Sequence, residues 1–210
     1  MSAPLDLPKT GKRELQKEAR RTAIIDAALD AFTQQGFTAT KLDEVAVRAG
    51  IGKGTIYLYF DSKENLFEEV VRQTLFPIRD AAEARVDNFT GSAAELLTMH
   101  LSHFYSAMSN SKIPPLMAML AGEAWRFPSI AEFFYEEIIS KSQRILRRIL
   151  NKGVESGEFH PDANNLYLQL LTAPVLISTT WNLQFHQHDP IVIEKYMQMH
   201  IAFVLRAIKA

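Results

Sequence analysis

Residues 36–67 read GFTATKLDEVAVRAGIGKGTIYLYFDSKENLF, and the fold of the chain turns on how they are read. LDEVAVRA and KGTIYLY are two short helix-forming stretches, separated by Gly50, Ile51 and Gly52. Glycine permits the tight reversal between them, and a short helix, a glycine turn and a second short helix make a helix-turn-helix. Thr40 with Asp43 is expected to cap the first of the pair and Gly50 to end it. At about 100° per residue, Ile56 and Phe60 fall on the same side as Leu42 and Val45, leaving Lys53, Thr55, Tyr57 and Tyr59 outside.

That outer surface has the chemistry of a groove reader. Lys53 and Lys63 can neutralise phosphates, and the absence of a side chain at Gly54 beside the small Thr55 allows close approach to base edges. The hydroxyls of Tyr57 and Tyr59 can reach phosphate oxygens, while the amides near Thr40 and Lys41 form a helix N-terminus suited to an anion. Two helices and a glycine turn also occur in α-proteins that bind no nucleic acid, so geometry alone leaves that reading open.

Outward from this segment, helix signals recur and no long apolar/polar alternation survives, which predicts an all-α chain of about nine helices. The first runs from about Lys17 to Gln35, with Ala23, Ile24, Ala27, Ala28, Ala31 and Phe32 on one stripe and Gly36 as its stop. Asp61, Ser62 and Glu64 open a fourth helix to about Asp87, kinked by Pro77. Ser92 with Glu95 is a capping box for the fifth, and Pro114 and Pro115 suit the first turn of the sixth. Ser129 with Glu132 is expected to open the seventh, Asp162 to cap the eighth, which Pro174 interrupts, and Asp189 with Pro190 to open the ninth, to about Ile208.

With 210 residues, 47% of them hydrophobic, the chain can bury a core or divide into a small and a larger domain. The absence of cysteine excludes disulfides, thiolate metal sites and a cysteine nucleophile, and fits a reducing compartment. No leader-like or membrane-spanning run is evident, so a cytoplasmic protein is expected. The formal charge of −1 is not what a nucleic-acid binder usually carries, yet residues 1–63 hold ten Lys and Arg against eight acids. No cofactor is expected. A catalytic reading fails for want of parts: Glu136 and Glu137 are adjacent and face apart on a helix, and no glycine-rich phosphate loop follows a strand.

The stretch from Gly36 to Phe67, with RRTAIIDAALDAFTQQGF before it, closely resembles the N-terminal domain of TetR/AcrR transcriptional regulators, and the core AGIGKGTIYLYFDSKENL matches almost position for position. Gly52 stands where that family often has a Ser or Thr cap. The resemblance implies a homodimer whose recognition helices enter successive major grooves of a palindromic operator. It places Lys53, Gly54, Thr55, Tyr57, Tyr59 and Lys63 at the DNA, with Lys41 and Arg20 or Arg21 as phosphate contacts. It divides the chain into a tail at 1–14, the DNA-binding domain at 15–62 and a ligand-binding and dimerisation domain at 63–210, with the dimer formed through 163–186 and 189–208.

The larger part is rich in soft side chains suited to an apolar effector pocket, for which Phe76, His100, Phe104, Met108, Met117, Trp125, Phe133 and Trp181 are the candidates. AGEAWRFPSIAEFFYEEII also looks like the C-terminal domain of drug- and metabolite-responsive members. No metal site is expected, because His100 with His103, and His186 with His188, lack further ligands. The function implied is a dimeric repressor released by a small hydrophobic effector. An activator or global regulator, or a helical small-molecule carrier without DNA control, are the alternatives.

Overall fold

The computed structural model describes residues 11–110 and 112–210, and most of them are helical. The expected tail falls largely on residues 1–10, outside the described residues; residues 12–14 already lie in a helix. By packing, the chain divides into a unit ending at Val70 and a second from Val71.

In the first unit, α1 spans Lys12–Ala39, α2 Leu42–Arg48 and α3 Lys53–Ile56, followed by the first turns of α4, Lys63–Asn88. Gly36, at φ 84° and ψ 165°, breaks helical geometry inside α1, which is the stop expected of it. Ile24, Ala28, Ala31 and Phe32 of α1 are buried, along with Val45, Ala46, Ile56 and Phe60 from the next two helices. Leu66, Phe67 and Val70 join them, and Phe32, Phe37 and Phe67 gather with ring centroids 5.5–5.6 Å apart. The first two turns of α4 therefore belong to the small unit, past the boundary expected at residue 62, because their apolar face completes its core.

Thr40 does not cap α2. Its hydroxyl donates to the Gly36 carbonyl at 2.7 Å, the side chain is buried, and Lys41 takes the N-cap position without a side-chain bond.

In the second unit, α4 continues to Asn88, with Pro77 inside it, and α5 follows at Ala93–Met108 and α6 at Ile113–Glu123. The capping box of Ser92 and Glu95 is present at α5, and Pro114 and Pro115 lie at the start of α6. A 3-10 turn, Ala124–Arg126, leads into α7. That helix runs Pro128–Phe134, passes through a π turn at Tyr135–Ile139 and resumes as Ser140–Glu155. Its opening residue is Pro128 with Phe127 as cap, so the Ser129–Glu132 box does not form; proline's fixed φ starts the helix two residues earlier than a Ser129 cap would.

The stretch around Asp162 is a 3-10 turn, Pro161–Asn165, capped by the imidazole of His160, and α8 begins later, at Gln169–Phe185. Pro174 is tolerated inside α8 and does not end it. Likewise α9 spans Ile193–Ile208 and does not open at Asp189–Pro190. There the chain is tied back onto α8: Trp181 Nε1 donates to the Asp189 carbonyl at 2.7 Å, and Asn182 exchanges two bonds with the Ile191 backbone at 2.8 and 2.9 Å. The core of this unit is built from Leu96, Leu97 and Leu101 of α5, Ile145 and Ile149 of α7, and Ile201 and Val204 of α9.

Candidate nucleic-acid interface

The turn between α2 and α3 is built by hydrogen bonding. Gly50 adopts φ 69°, its N–H donates to the Val47 carbonyl at 3.1 Å, and the Ile51 N–H reaches Ala46 at 3.0 Å. These are the two bonds of a Schellman ending, which needs a left-handed residue where glycine stands. Gly52 caps α3 through its carbonyl, accepting from Thr55 N at 2.8 Å. A β-carbon at Gly52 would touch Thr55 Oγ1 at 3.4 Å, an ordinary contact. The regular helix covers Lys53–Ile56, shorter than the sequence predicts, and single turns carry it on: Leu58 N donates to Thr55, and Tyr59 N and Phe60 N both donate to Ile56.

Ile56 and Phe60 are buried, as the helical arc requires, and Leu42 is half-buried. On the outer side Lys53 and Gly54 are exposed, Tyr57 is 53% exposed, and Thr55 and Tyr59 are half-buried. Nothing lies within 4 Å of where a Gly54 β-carbon would stand, so the backbone there is open to approach by a large flat surface. Lys53 Nζ is 3.2 Å from the Asp43 carboxylate of α2, which holds the ammonium over the recognition helix.

The remaining cations differ in availability. Lys41 and Arg20 are exposed. Arg21 pairs with Glu69 and lies 5.6 Å over the Phe60 ring, which fastens α1 to the unit's core. Lys63 is the larger departure from expectation. Its Nζ donates to the carbonyls of Phe37, Thr38 and Thr40 at 2.7, 3.2 and 3.0 Å and sits 4.5 Å above the Phe37 ring. The ammonium is held at the end of α1, just past the break at Gly36.

Two residues of this surface were missed in the sequence. Leu58 is 80% exposed and Val47 66% exposed, apolar side chains on the outside of the reading unit. Leu58 lies beside a shallow depression of about 550 Å³ that Glu14, Lys17, Arg21 and Tyr59 also line. The signal was available for Leu58, which lies beside Tyr57 on the outer arc of the same short helix.

Of the effector-pocket candidates, Met108 is buried and Phe104 and Met117 are half-buried. The ring of Phe76 lies under Arg79 at 3.9 Å, and that of Phe133 under Arg72 at 4.7 Å. Arg79 also donates to the Glu137 carbonyl at 2.8 Å, inside the π turn of α7. Trp125 departs from expectation: it is 77% exposed on the 3-10 turn, its indole N–H satisfied locally by the Gly122 carbonyl. Trp181 is spent on the α8–α9 connection, bonded to Asp189 and packed 4.8 Å from Phe185. His186 and His188 are exposed, and among the described residues no three His, Asp or Glu side chains gather to hold a metal ion.

A compact helix-turn-helix with an exposed, polar recognition face, ahead of a separate helical unit, defines a class of DNA-binding regulator. Residues 24–70 match the bacterial regulatory proteins of the tetR family, and residues 95–207 match the C-terminal domain of AefR-like transcriptional repressors. The chain belongs to the TetR family of transcriptional regulators, which are not enzymes. It is 28% identical over 195 residues to the transcriptional repressor KstR2 of Mycolicibacterium smegmatis, covering 92% of each chain. Over 66 residues, 31% of each chain, it is 47% identical to the transcriptional regulator RutR of Escherichia coli K12. The solved complex of SmeT with triclosan shares the fold, with a TM-score of 0.78 at 17% identity, over 91% of this chain and 92% of that one. No helix among the described residues is long and apolar enough to cross a membrane.

Proposed function

We propose that the protein is a homodimeric repressor that binds a palindromic operator and lets go of it when a small hydrophobic effector occupies the second unit. The observation that carries the reading is the recognition helix, with Lys53, Gly54 and Tyr57 exposed while Ile56 and Phe60 of the same segment are buried in the core of the three-helix unit. In this reading those residues, with Thr55 and Tyr59, enter the major groove, and Lys41 and Arg20 take phosphates. Arg21 and Lys63 hold the unit's shape and act on DNA only through it.

The dimer is supported by the outer faces of α8 and α9. Leu170 and Ile177 are 61% and 56% exposed, and Met199 and Phe203 are 64% and 73% exposed. Seven-residue and four-residue spacings place each pair on one side of its helix, so both helices present apolar stripes of the sort a partner copy would cover. Residues 15–62, with the first two turns of α4, form the reading head, and the remainder forms the control domain. KstR2 is named a repressor, and SmeT is seen with triclosan, an apolar molecule; both support repression and hydrophobic ligand control here.

One head with a slightly positive charge binds DNA weakly, so affinity rests on two heads held at operator spacing. An effector that prefers a different spacing shifts the population away from the DNA-bound form. The protein is read as cytoplasmic, where its operator would be. The purified chain should retard the DNA upstream of its own gene with a stoichiometry of two chains per site. Operator affinity unchanged across a wide panel of hydrophobic compounds would refute effector control, and no retardation at all would refute the repressor.

A further inference from the structure

Two helices of the second unit are interrupted, and one arginine bridges the interruptions. In α4, Pro77 has no N–H, so the Gln73 carbonyl one turn earlier lacks its helical donor and the helix bends most easily there. In α7 the π turn replaces i→i+4 bonding with the longer i→i+5 step, Ser140 N–H donating to the Tyr135 carbonyl. The next two carbonyls accept from side chains. Ser140 Oγ donates to Glu136 at 2.7 Å, and Arg79 Nη1 reaches across from α4 to Glu137 at 2.8 Å.

Arg79 is held in place by its own helix. Its Nε and Nη2 donate to Asp80 Oδ1 at 2.8 and 2.6 Å, and its guanidinium lies 3.9 Å from the centre of the Phe76 ring. Only 11% of its side chain is exposed. Phe76 and Arg79 flank Pro77, so the residues beside the interruption in α4 are those that meet the π turn. The Glu137 carboxylate lies 3.7 Å from Arg79 but is taken more closely by Lys141, at 2.6 Å. Arg72, earlier in α4, lies 4.7 Å over Phe133, ahead of the π turn, and Arg148, after it, pairs with Asp87 and Glu83 near the end of α4. Side chains thus fasten α4 to α7 on both sides of Pro77, and Arg79 fastens it at the π turn itself.

A π turn is a helix with one residue too many for the α register. Returning it to that register rotates one end of the helix against the other by about 100° and slides it by about 1.5 Å, so the two settings are discrete. In the α setting the Glu137 carbonyl takes the Lys141 N–H, and Arg79 loses its acceptor. We propose that Arg79 is a positioning residue that ties the π setting of α7 to the bend of α4 at Pro77, coupling the state of α7 to DNA binding by the reading head, whose core the first turns of α4 complete. The proposal rests on the reading that the second unit controls operator binding, and names the residue through which control passes. Coupling of this kind is reciprocal: if the π turn governs the head, DNA on the head must be felt at the π turn.

The test is hydrogen exchange of the full-length protein, with and without the DNA upstream of its own gene. In the free protein, Arg79→Met should speed exchange in residues 135–141 of α7 and in residues 74–81 of α4 together, by about threefold or more. Arg79→Lys, which can still reach one carbonyl, should restore part of the protection, and Glu137→Gln, which keeps the carbonyl, should leave α4 unchanged. DNA should slow exchange in both α3 and the π turn of the wild type. In Arg79→Met the protection of α3 should persist and that of the π turn should vanish. A merely structural role would lower the melting temperature and leave this DNA-dependent response in place. The coupling is overturned by a wild-type π turn indifferent to DNA that protects α3, by an undiminished response in Arg79→Met, or by free-protein exchange that quickens in α7 alone or nowhere. If the DNA protects no part of the head, the operator reading fails by itself, and the joint stands or falls on whether α4 and α7 quicken together in the free variant.

Discussion

Lys63 holds its ammonium 2.7 Å from the carbonyl of Phe37, at the point where Gly36 has broken α1. Asp43 meanwhile holds Lys53 at 3.2 Å on the exposed side of the turn. Two lysines that look alike in the sequence thus differ in task. Lys53→Ala should weaken operator binding and lower the slope of log affinity against log salt by about 1, as for a lost phosphate contact. Lys63→Met should leave that slope unchanged while lowering the stability of the reading head by about 1–3 kcal/mol, as carbonyls lose a charged donor. Chemical denaturation and salt-dependent anisotropy of the two variants separate these outcomes.

Removing the restraint on Lys53 is a second test. Asp43→Asn removes an exposed pair worth about 0–1 kcal/mol in its own right, so stability should hardly change. One negative charge fewer beside the phosphates should strengthen binding to random-sequence DNA at low salt, with the gain fading as salt is raised. Equal random-DNA affinity of variant and wild type at 50 mM salt would contradict this role.

Gly50 is required by its backbone, at φ 69° with open space around it. Gly50→Ala meets no clash yet should cost about 1–2 kcal/mol from the left-handed conformation alone. Gly50→Asn should cost less, since asparagine tolerates that region. Thermal melts of the two variants give the order.

The apolar stripes of α8 and α9 make the dimer testable without DNA. Phe203→Glu, at a position 73% exposed in the single chain, should fold normally by circular dichroism and run as a monomer in light scattering. Operator affinity should then fall by a factor of ten or more. A variant still dimeric would place the interface elsewhere.

Acid should destabilise the second unit through its histidines. Burial, with Arg85 and His103, holds His100 down to about 4, and burial lowers His200, whose Nδ1 is 3.1 Å from the Tyr105 hydroxyl. Folded pKa values below the unfolded one mean that the unfolded chain binds more protons in the interval between them. Stability is therefore full above the unfolded value, roughly 6.5, and is lost as pH falls from there toward the folded values. Urea midpoints should drop between pH 7.5 and pH 5, and the combined variant His100→Gln, His200→Gln should flatten the drop.

Local and periodic features were legible in the sequence. The buried pair Ile56 and Phe60, the helix stop at Gly36, the end of α2 at Gly50 and the capping box of Ser92 and Glu95 follow from spacing and residue type, and each was found where expected. Such features are set by residues within a few positions of one another. The recognition face of Lys53, Gly54 and Tyr57 is of that kind, because a short helix with a buried side has its exposed side fixed by geometry.

What the sequence could not decide was the partner of each long polar side chain. Lys63 reads as a phosphate contact until the fold delivers three broken-helix carbonyls from 23–26 residues earlier. Asp189 and Pro190 read as a helix start until Trp181 and Asn182 claim that backbone, and Trp125 reads as pocket lining until the 3-10 turn exposes it. Periodicity specifies which face of an element is buried. Only tertiary structure decides what that face meets, since a hydrogen bond is made to the nearest available partner in space, whatever its distance along the chain.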